Sequence, residues 1–298
     1  MAYSLDRARS FLAGHGRLLD RRRFELLAGD GDPTAVIAAV DGYRNPDGGY
    51  GWGIEPDLRD GTSQVAGALH ALEVFAEAPQ AVSGQAGALL DWLAGHTLPD
   101  GGLPFALPVA EDTGVAPFWA QAASGTSSLH ITTAVGAHAH LLADRLPDLA
   151  GHPWLATASG YCLRGIAELA EPSAHELSYA IQFLDAAADR EPGAAALLDR
   201  LAALLPADGL LRVAGGAADE ALRPLDYAPW PQRPARRLVR AGVIEAELAR
   251  LAAGQQRDGG WLVDFGSYSP AARLEWRGYA TVRAVAVLLA NQVGRAAG

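Results

Sequence analysis

A short turn built on Asp-Gly recurs along the chain and limits the folds that it can adopt. It occurs at Asp47-Gly48, Asp100-Gly101, Asp208-Gly209 and Asp258-Gly259, so the aspartates are 53, 108 and 50 residues apart. Self-similarity at this spacing is typical of an array of similar structural units. The middle interval spans about two units, and we expect a turn near Pro153-Trp154 that has lost its glycines.

The unit has the length of two helices and their connections, and glycine after aspartate supplies the positive φ that ends a helix. Apolar residues between the turns recur with helical spacing, as in Val65, Leu69 and Leu72. No stretch alternates convincingly with a period of two. Capping residues predict helices from Thr62-Ser63 to about Glu77, from Thr126–Ser128 to about Asp144 and from Ser173 to about Asp189, and a last helix from about Pro270 to Gln292.

Such helical hairpins have two apolar faces to bury, and five or six of them bury both by closing into a double ring. The sequence therefore predicts an all-α fold, an α/α toroid that forms a single domain over residues 1–298. Four prolines between residues 223 and 234 exclude a regular helix there and predict an inserted loop.

Composition excludes several classes of function. The net charge is −10 and the basic residues form no stripe, so nucleic acid is not an expected partner. All 24 basic residues are arginine, which excludes Schiff-base chemistry on lysine; we expect no cofactor and no metal. Cys162 is the one cysteine, and no apolar stretch approaches the ~20 residues of a membrane span. Without a secretory signal, the expected location is the cytoplasm; the oligomeric state stays open.

The segment from Leu251 to Trp261, Leu-Ala-Ala-Gly-Gln-Gln-Arg-Asp-Gly-Gly-Trp, resembles the glutamine/tryptophan repeat of squalene and oxidosqualene cyclases. Weaker versions occur at Asp47–Trp52 and Asp100–Gly102. The likeness extends loosely from Thr34 to Asn291, and it also covers uncharacterised actinobacterial proteins described as prenyltransferase or squalene-cyclase repeat proteins. It implies the α/α toroid of terpenoid cyclases and protein prenyltransferases, with a structural role for the repeat.

The resemblance does not bring the activities of these enzymes with it. The Asp-x-Asp-Asp acid of squalene cyclases is absent, as is the Asp-Asp-x-x-Asp motif that holds magnesium. The zinc ligands of protein prenyltransferases have no counterpart, since Cys162 lies in an expected outer helix.

Two segments that follow repeat turns are expected to line the mouth of the central cavity. In the first, Asp57 is a candidate general acid, although it can instead pair with Arg59 and hold the loop. In the second, Asp264 and Glu275 are candidate catalytic carboxylates; a hydrogen-bonded turn and a helix-dipole contact are their structural alternatives. Candidate substrate-binding residues of the two segments are Trp52, Glu55, Arg59, Gln64, Tyr268, Trp276 and Arg277.

Candidates also come from two expected inner helices and the proline-rich loop. His130, in a first helical turn, is a candidate base, with a structural histidine as the alternative. Tyr179 is expected in the cavity wall, and Asp226 and Tyr227 in a lid.

The function expected from these features is acid-assisted cyclisation, isomerisation or dehydration of a hydrophobic, terpenoid or polyketide-like small molecule. Aromatic faces would stabilise the positive charge that develops. Two alternatives stay open: a non-catalytic module that binds an apolar ligand or peptide, and a carbohydrate-active α/α-barrel enzyme.

Overall fold

Helices occupy most of the computed structural model, which describes residues 3–111, 113–217 and 219–294. The α-helices are α1 Leu5–His15, α2 Leu18–Ala28, α3 Pro33–Asp41, α4 Val65–Glu77, α5 Gly84–Gly95, α6 Pro117–Ala120, α7 Leu129–Ala143, α8 Pro147–Ala150, α9 Pro153–Glu168, α10 Ala174–Ala187, α11 Ala194–Ala202, α12 Pro224–Tyr227, α13 Ala241–Ala253 and α14 Pro270–Ala290. Short 3₁₀ helices cover Pro79–Ala81 and Pro234–Leu238. The predicted all-α class is confirmed.

Serine side chains cap α7 and α10 at the predicted positions, and α14 as well. The predicted cap of α4 at Thr62-Ser63 is wrong, because α4 begins at Val65 and its N-cap residue, Gln64, makes no side-chain capping bond. Ser128, Ser173 and Ser269 accept hydrogen bonds from the backbone N–H groups of the first turns of α7, α10 and α14. At α10, Glu176 also accepts from the Ser173 N–H and completes a capping box. These bonds satisfy N–H groups that have no partner within the helix.

The Asp-Gly turns share one local geometry. In each, the aspartate side chain accepts a hydrogen bond from the backbone N–H two residues later, over 3.0 to 3.1 Å. The glycines after Asp47 and Asp258 have φ values of 92° and 99°, which other residues rarely adopt. Each turn follows a helix, α3, α5, α11 or α13, and reverses the chain.

The prediction of a repeat turn without glycines near Pro153-Trp154 is wrong, because α9 begins at Pro153. The connection without a glycine turn is the segment 169–173, between α9 and α10. Proline is favoured in the first turn of a helix, so this pair marks a helix start.

The proline-rich segment is irregular apart from the four residues of α12, as predicted. Just before it lies a minimal antiparallel hairpin, β1 (Leu211–Arg212) with β2 (Ala221–Leu222), which the periodicity does not indicate. Strands of two residues are too short to show alternation.

The helices form one compact domain in which neighbours along the chain contact each other and the first and last helices meet. Helix α7 packs between α4 and α10, and α14 contacts α1, α2 and α13. Gln255, in the cyclase-like repeat, accepts a hydrogen bond from the backbone N–H of Ser4 and donates one to its carbonyl. Trp261 meets Tyr3 edge to face. The last repeat is thereby tied to the start of α1. No helix of the described residues is long and apolar enough to cross a membrane.

Candidate functional site

A cavity of about 1110 Å³ lies among α4, α7, α10 and α14. Its wall combines aromatic, acidic and imidazole side chains. They include Glu55, Asp57, His70, Glu73, Phe105, Trp119, His130, His138, His175, Tyr179, Gln182, Glu220, Asp226, Asp264, Phe265, Trp276, Tyr279 and Arg283. A concave, largely apolar space with a few polar groups is typical of a small-molecule site.

Helical periodicity brings these side chains to the cavity. On α14, Trp276, Tyr279 and Arg283 are three and four residues apart and therefore share a face. On α7, His130 and His138 are two turns apart and share another. Small and apolar residues between them, Ile131 and Ala134 on α7 and Ala280 on α14, also line the cavity.

Asp57 is a buried carboxylate, 4% exposed, at the edge of the cavity. Its Oδ2 accepts a hydrogen bond from Trp276 Nε1 and its Oδ1 one from the backbone N–H of Tyr268, both over 2.8 Å. Burial raises its pKa, although these hydrogen bonds act in the opposite direction. Arg59 forms its ion pair with Glu275 and none with Asp57 within 4.0 Å, so its charge lowers the pKa of Asp57 only from a greater distance.

His70 is the centre of a buried network of charges. Its Nε2 lies 3.0 Å from Glu55 Oε2, and its Nδ1 lies 3.6 Å from Glu73 Oε2. Burial alone would lower the pKa of His70, but the two carboxylates outweigh it and raise the pKa to about 9. His70 is therefore an imidazolium at neutral pH.

Behind His70, Arg23 neutralises the rest of the network. It donates to Glu73 over 2.8 Å and to both Glu77 oxygens over 2.6 and 2.8 Å. The pKa of Glu73 falls well below its usual range, because Arg23 and His70 outweigh its burial. The Tyr279 hydroxyl also donates to Glu73, over 3.1 Å.

The wall formed by α7 and α10 contains histidines whose pKa values are lowered, in contrast to that of His70. His130 stacks on His175 and Tyr179, with ring centroids 5.2 and 4.9 Å away. Burial, reinforced by His175, lowers its pKa to about 3, and burial lowers the pKa of His138 to about 4. Both rings are neutral at pH 7, so each keeps a lone pair that accepts a proton.

Asp264 and Asp226 line the cavity nearer to the proline-rich loop. Asp264 is half-exposed, 48%, and lies 3.7 Å from Arg223. Asp226 accepts a hydrogen bond from the Arg223 backbone N–H, and burial raises its pKa. Asp57 and Asp264 thus share one cavity.

Other predicted residues of the two rim segments lie outside the described cavity wall. Glu275 and Arg59 form an ion pair with each other. Trp52 is 61% exposed and donates to Asn45, while the ring of Tyr268 is also exposed. These are rim contacts, and only the backbone of Tyr268 reaches a cavity residue.

Three further predicted residues have structural partners. Gln64 is buried ahead of α4 and accepts a hydrogen bond from the backbone N–H of Leu107. The Tyr227 hydroxyl donates to the carbonyl of Gly209, at a repeat turn. Arg277 pairs with Asp258 and lies over the ring of Phe11, so it holds the last repeat turn on α14.

The sequence predictions omitted His70, Glu73 and Arg283. A signal for the first two was present, since they are three residues apart in an otherwise apolar helix. Arg283 shares the helical face of Trp276 and Tyr279, which indicates the same environment. Among the described residues no group of three metal-binding side chains is arranged to hold an ion.

No family model and no curated protein matches the sequence. A crystal structure of a protein from Actinoplanes is similar over 97% of this chain and 98% of its own, with a TM-score of 0.56 and 17% sequence identity. At this identity the likeness shows a shared fold alone.

Proposed function

We propose that this protein is an enzyme that binds a largely apolar small molecule, terpenoid or polyketide-like, and catalyses its acid-assisted cyclisation, isomerisation or dehydration. The observation that carries the proposal is a single cavity whose wall contains a buried carboxylate, Asp57, an imidazole, His130, and a cluster of aromatic rings. Burial raises the pKa of Asp57 and lowers that of His130 to about 3, so the pKa values of the two groups are shifted in opposite directions. Titratable groups whose pKa values are pushed apart are characteristic of acid/base sites.

We also propose that the helices close into the α/α toroid that the sequence predicts, with α4, α7, α10 and α14 around its centre. The contacts of α14 with α1 and α2, and the Gln255 bonds to Ser4, support this closure. A closed ring isolates the cavity from bulk water, which strengthens electrostatic interactions with a reacting molecule.

In the proposed chemistry, Asp57 is the acid. For dehydration, its proton goes to the hydroxyl oxygen of the ligand, the C–O bond breaks and water leaves with the electron pair. His130 then takes a proton from the neighbouring carbon, and that C–H pair forms the alkene. A C–H bond beside a carbocation is acidic enough for a weak base. No electrons are gained or lost, so no redox partner is needed.

Aromatic faces stabilise the positive charge on the ligand between these two steps. Trp276 contacts Tyr279 and Phe265 edge to face, with centroids 5.6 and 5.2 Å apart, and all three line the cavity. The negative faces of such rings attract cations, by about 2 kcal/mol when water is excluded.

The test uses farnesol, geranylgeraniol and squalene as probes, with products followed by gas chromatography and mass spectrometry. Asp57→Asn should lower turnover about 10²- to 10⁴-fold. Asp189→Asn, at an exposed aspartate, is the matched control and should leave it unchanged. Equal rates for wild type and Asp57→Asn would remove Asp57 as the acid.

Native mass spectrometry of protein from its own host separates the alternatives. A co-purified apolar molecule that binds without turnover would favour a binding module. Thermal stabilisation by oligosaccharides, without binding of apolar molecules, would favour a carbohydrate-active enzyme.

A further inference from the structure

Arg283 is a partly buried arginine of the cavity wall that has no carboxylate partner within 4.0 Å among the described residues. It donates a single side-chain hydrogen bond, from Nη2 to the backbone carbonyl of Asp226 over 3.0 Å. Two other arginines differ, since Arg23 pairs with Glu73 and Glu77, and Arg17 with Asp20. Removing a guanidinium from water without a carboxylate partner costs free energy, so we expect a bound anion to act as the partner of Arg283.

The unused donors of Arg283 face the cavity. Arg283 lines the cavity. Among the described residues its Nε and Nη1 donate no hydrogen bond, and neither atom is fully buried. These two N–H groups therefore contact the open space. A guanidinium presents them in a fork that matches two oxygens of one acid group.

Two more donors lie in the same wall without a partner. The Tyr179 hydroxyl and the His138 ring make no hydrogen bond within the described parts of the chain, and both residues line the cavity. Burial raises the pKa of Tyr179 and lowers that of His138, and the charge of Arg283 lowers both. The three residues come from three helices, α7, α10 and α14, and line the same cavity.

We propose that Arg283, Tyr179 and His138 bind the carboxylate head group of the apolar ligand. The proposal deepens the function proposed above and rests on it for the apolar body of the ligand. Arg283 supplies the fork, and Tyr179 and neutral His138 each supply one further donor.

The charges in the wall favour a carboxylate over a phosphate or diphosphate. Arg283 is one positive charge, and Glu73 and Asp226 already act on it at longer range. A carboxylate adds one negative charge, which Arg283 alone balances. A diphosphate adds about three negative charges next to the two acidic side chains. The other cations of the described wall, His70, Arg223 and Arg250, are already paired with carboxylates.

The experiment measures binding by calorimetry at pH 7 for matched acids and alcohols, namely farnesoic acid with farnesol and saturated C12 to C20 acids with their alcohols. Farnesyl diphosphate is the phosphate probe. Wild type should bind the best acid about 10- to 100-fold more tightly than its alcohol, as expected for hydrogen bonds to a charged group. Arg283→Met should abolish this preference and leave the alcohol affinity nearly unchanged.

Arg273→Met is the matched control, an exposed arginine on the same helix, and should keep the acid preference. Tyr179→Phe should reduce the preference several-fold and decides the test if Arg283→Met fails to fold. No acid preference at any chain length, or tighter binding of farnesyl diphosphate, would overturn the proposal.

Binding and turnover measurements together distinguish a failure of the carboxylate site from a failure of the proposed enzyme activity. Acid-selective binding without turnover of any probe would remove the enzyme and leave the carboxylate site. Turnover of a neutral polyene without acid preference would remove the carboxylate site alone.

Discussion

Two walls of the cavity differ in whether their polar side chains are paired with one another. The paired wall, made of Glu55, His70 and Glu73 with Arg23 behind them, joins every charge to an opposite one over 2.6 to 3.6 Å. The unpaired wall, made of His130, His138, His175 and Tyr179, has ring stacking and no side-chain hydrogen bonds within the described residues. His70 is therefore protonated on one wall, although it is more buried than the neutral histidines on the other.

The difference teaches that burial alone does not set the protonation state of a histidine. Burial lowers the pKa of His70 and His130 alike, and only the neighbours of His70 reverse the shift. The paired wall should therefore contribute to stability, whereas the unpaired wall keeps its hydrogen-bonding capacity for a ligand.

The largest effect is expected from breaking the paired wall at Arg23. Arg23→Met keeps the apolar stem and removes the charge from two buried carboxylates, which should cost about 3–5 kcal/mol of unfolding free energy. Urea denaturation measures it. Arg22→Met is the control on the same helix, because Arg22 is 42% exposed and pairs with Glu25; its cost should be below about 1 kcal/mol. Similar losses of unfolding free energy in both variants would contradict a special stabilising role for the Arg23 ion pairs.

The two walls should respond to pH in opposite directions. The pKa of His70 is raised from 6.5 to about 9, so its stabilisation is complete below pH 6.5 and is lost as pH rises through 9. The loss should be about 1–3 kcal/mol. The pKa of His130 is depressed to about 3, so its contribution is present above pH 6.5 and is lost on acidification toward pH 3.

Unfolding free energies from pH 4 to 10 check this pair of slopes. His70→Gln should remove the alkaline slope and leave the acid one. His130→Phe should reduce the loss of stability on acidification, to which His138 still contributes, and leave the alkaline slope unchanged. NMR titration of the His70 Hε1 signal gives its pKa independently, and a value below 6.5 would refute the pairing.

A smaller effect is expected at the Asp57 contact, between the two walls. Trp276→Phe removes the N–H that binds Asp57 Oδ2 while keeping an aromatic ring. It should cost about 1 kcal/mol and raise the pKa of Asp57 further, since that hydrogen bond stabilises the ionised form. Carbon-13 NMR of the Asp57 carboxyl reports the shift; an unchanged or lower pKa would count against the contact.

The smallest effect is expected at the unpaired wall. His130→Phe preserves the stacking surface toward His175 and Tyr179 and loses no side-chain hydrogen bond, so stability at pH 7 should change by less than about 1 kcal/mol. A loss comparable to that of Arg23→Met would mean that His130 has a structural partner. Thermal and urea unfolding at pH 7 decide between the two.

Individual residues show how far the sequence could predict the site. Asp57 and Trp52 lie in one irregular loop, yet the first is 4% and the second 61% exposed. Loop side chains follow no period, so no pattern separates them. Glu275, Trp276 and Arg277 are consecutive on a helix, about 100° apart, and only Trp276 reaches the cavity. Here periodicity could have selected Trp276 together with Tyr279 and Arg283.

The sequence by itself determined the helices and the turns between them. Helical spacing and Asp-Gly turns act within a few residues, as do the serine caps of α7, α10 and α14, so these helices and α4 begin and end close to the predicted positions. Tertiary structure alone decided which polar groups are paired. His70 meets Glu55 fifteen residues away, and Asp57 meets Trp276 from the far end of the chain. Because a pKa and a binding contact depend on such distant neighbours, the chemistry of the cavity follows from packing.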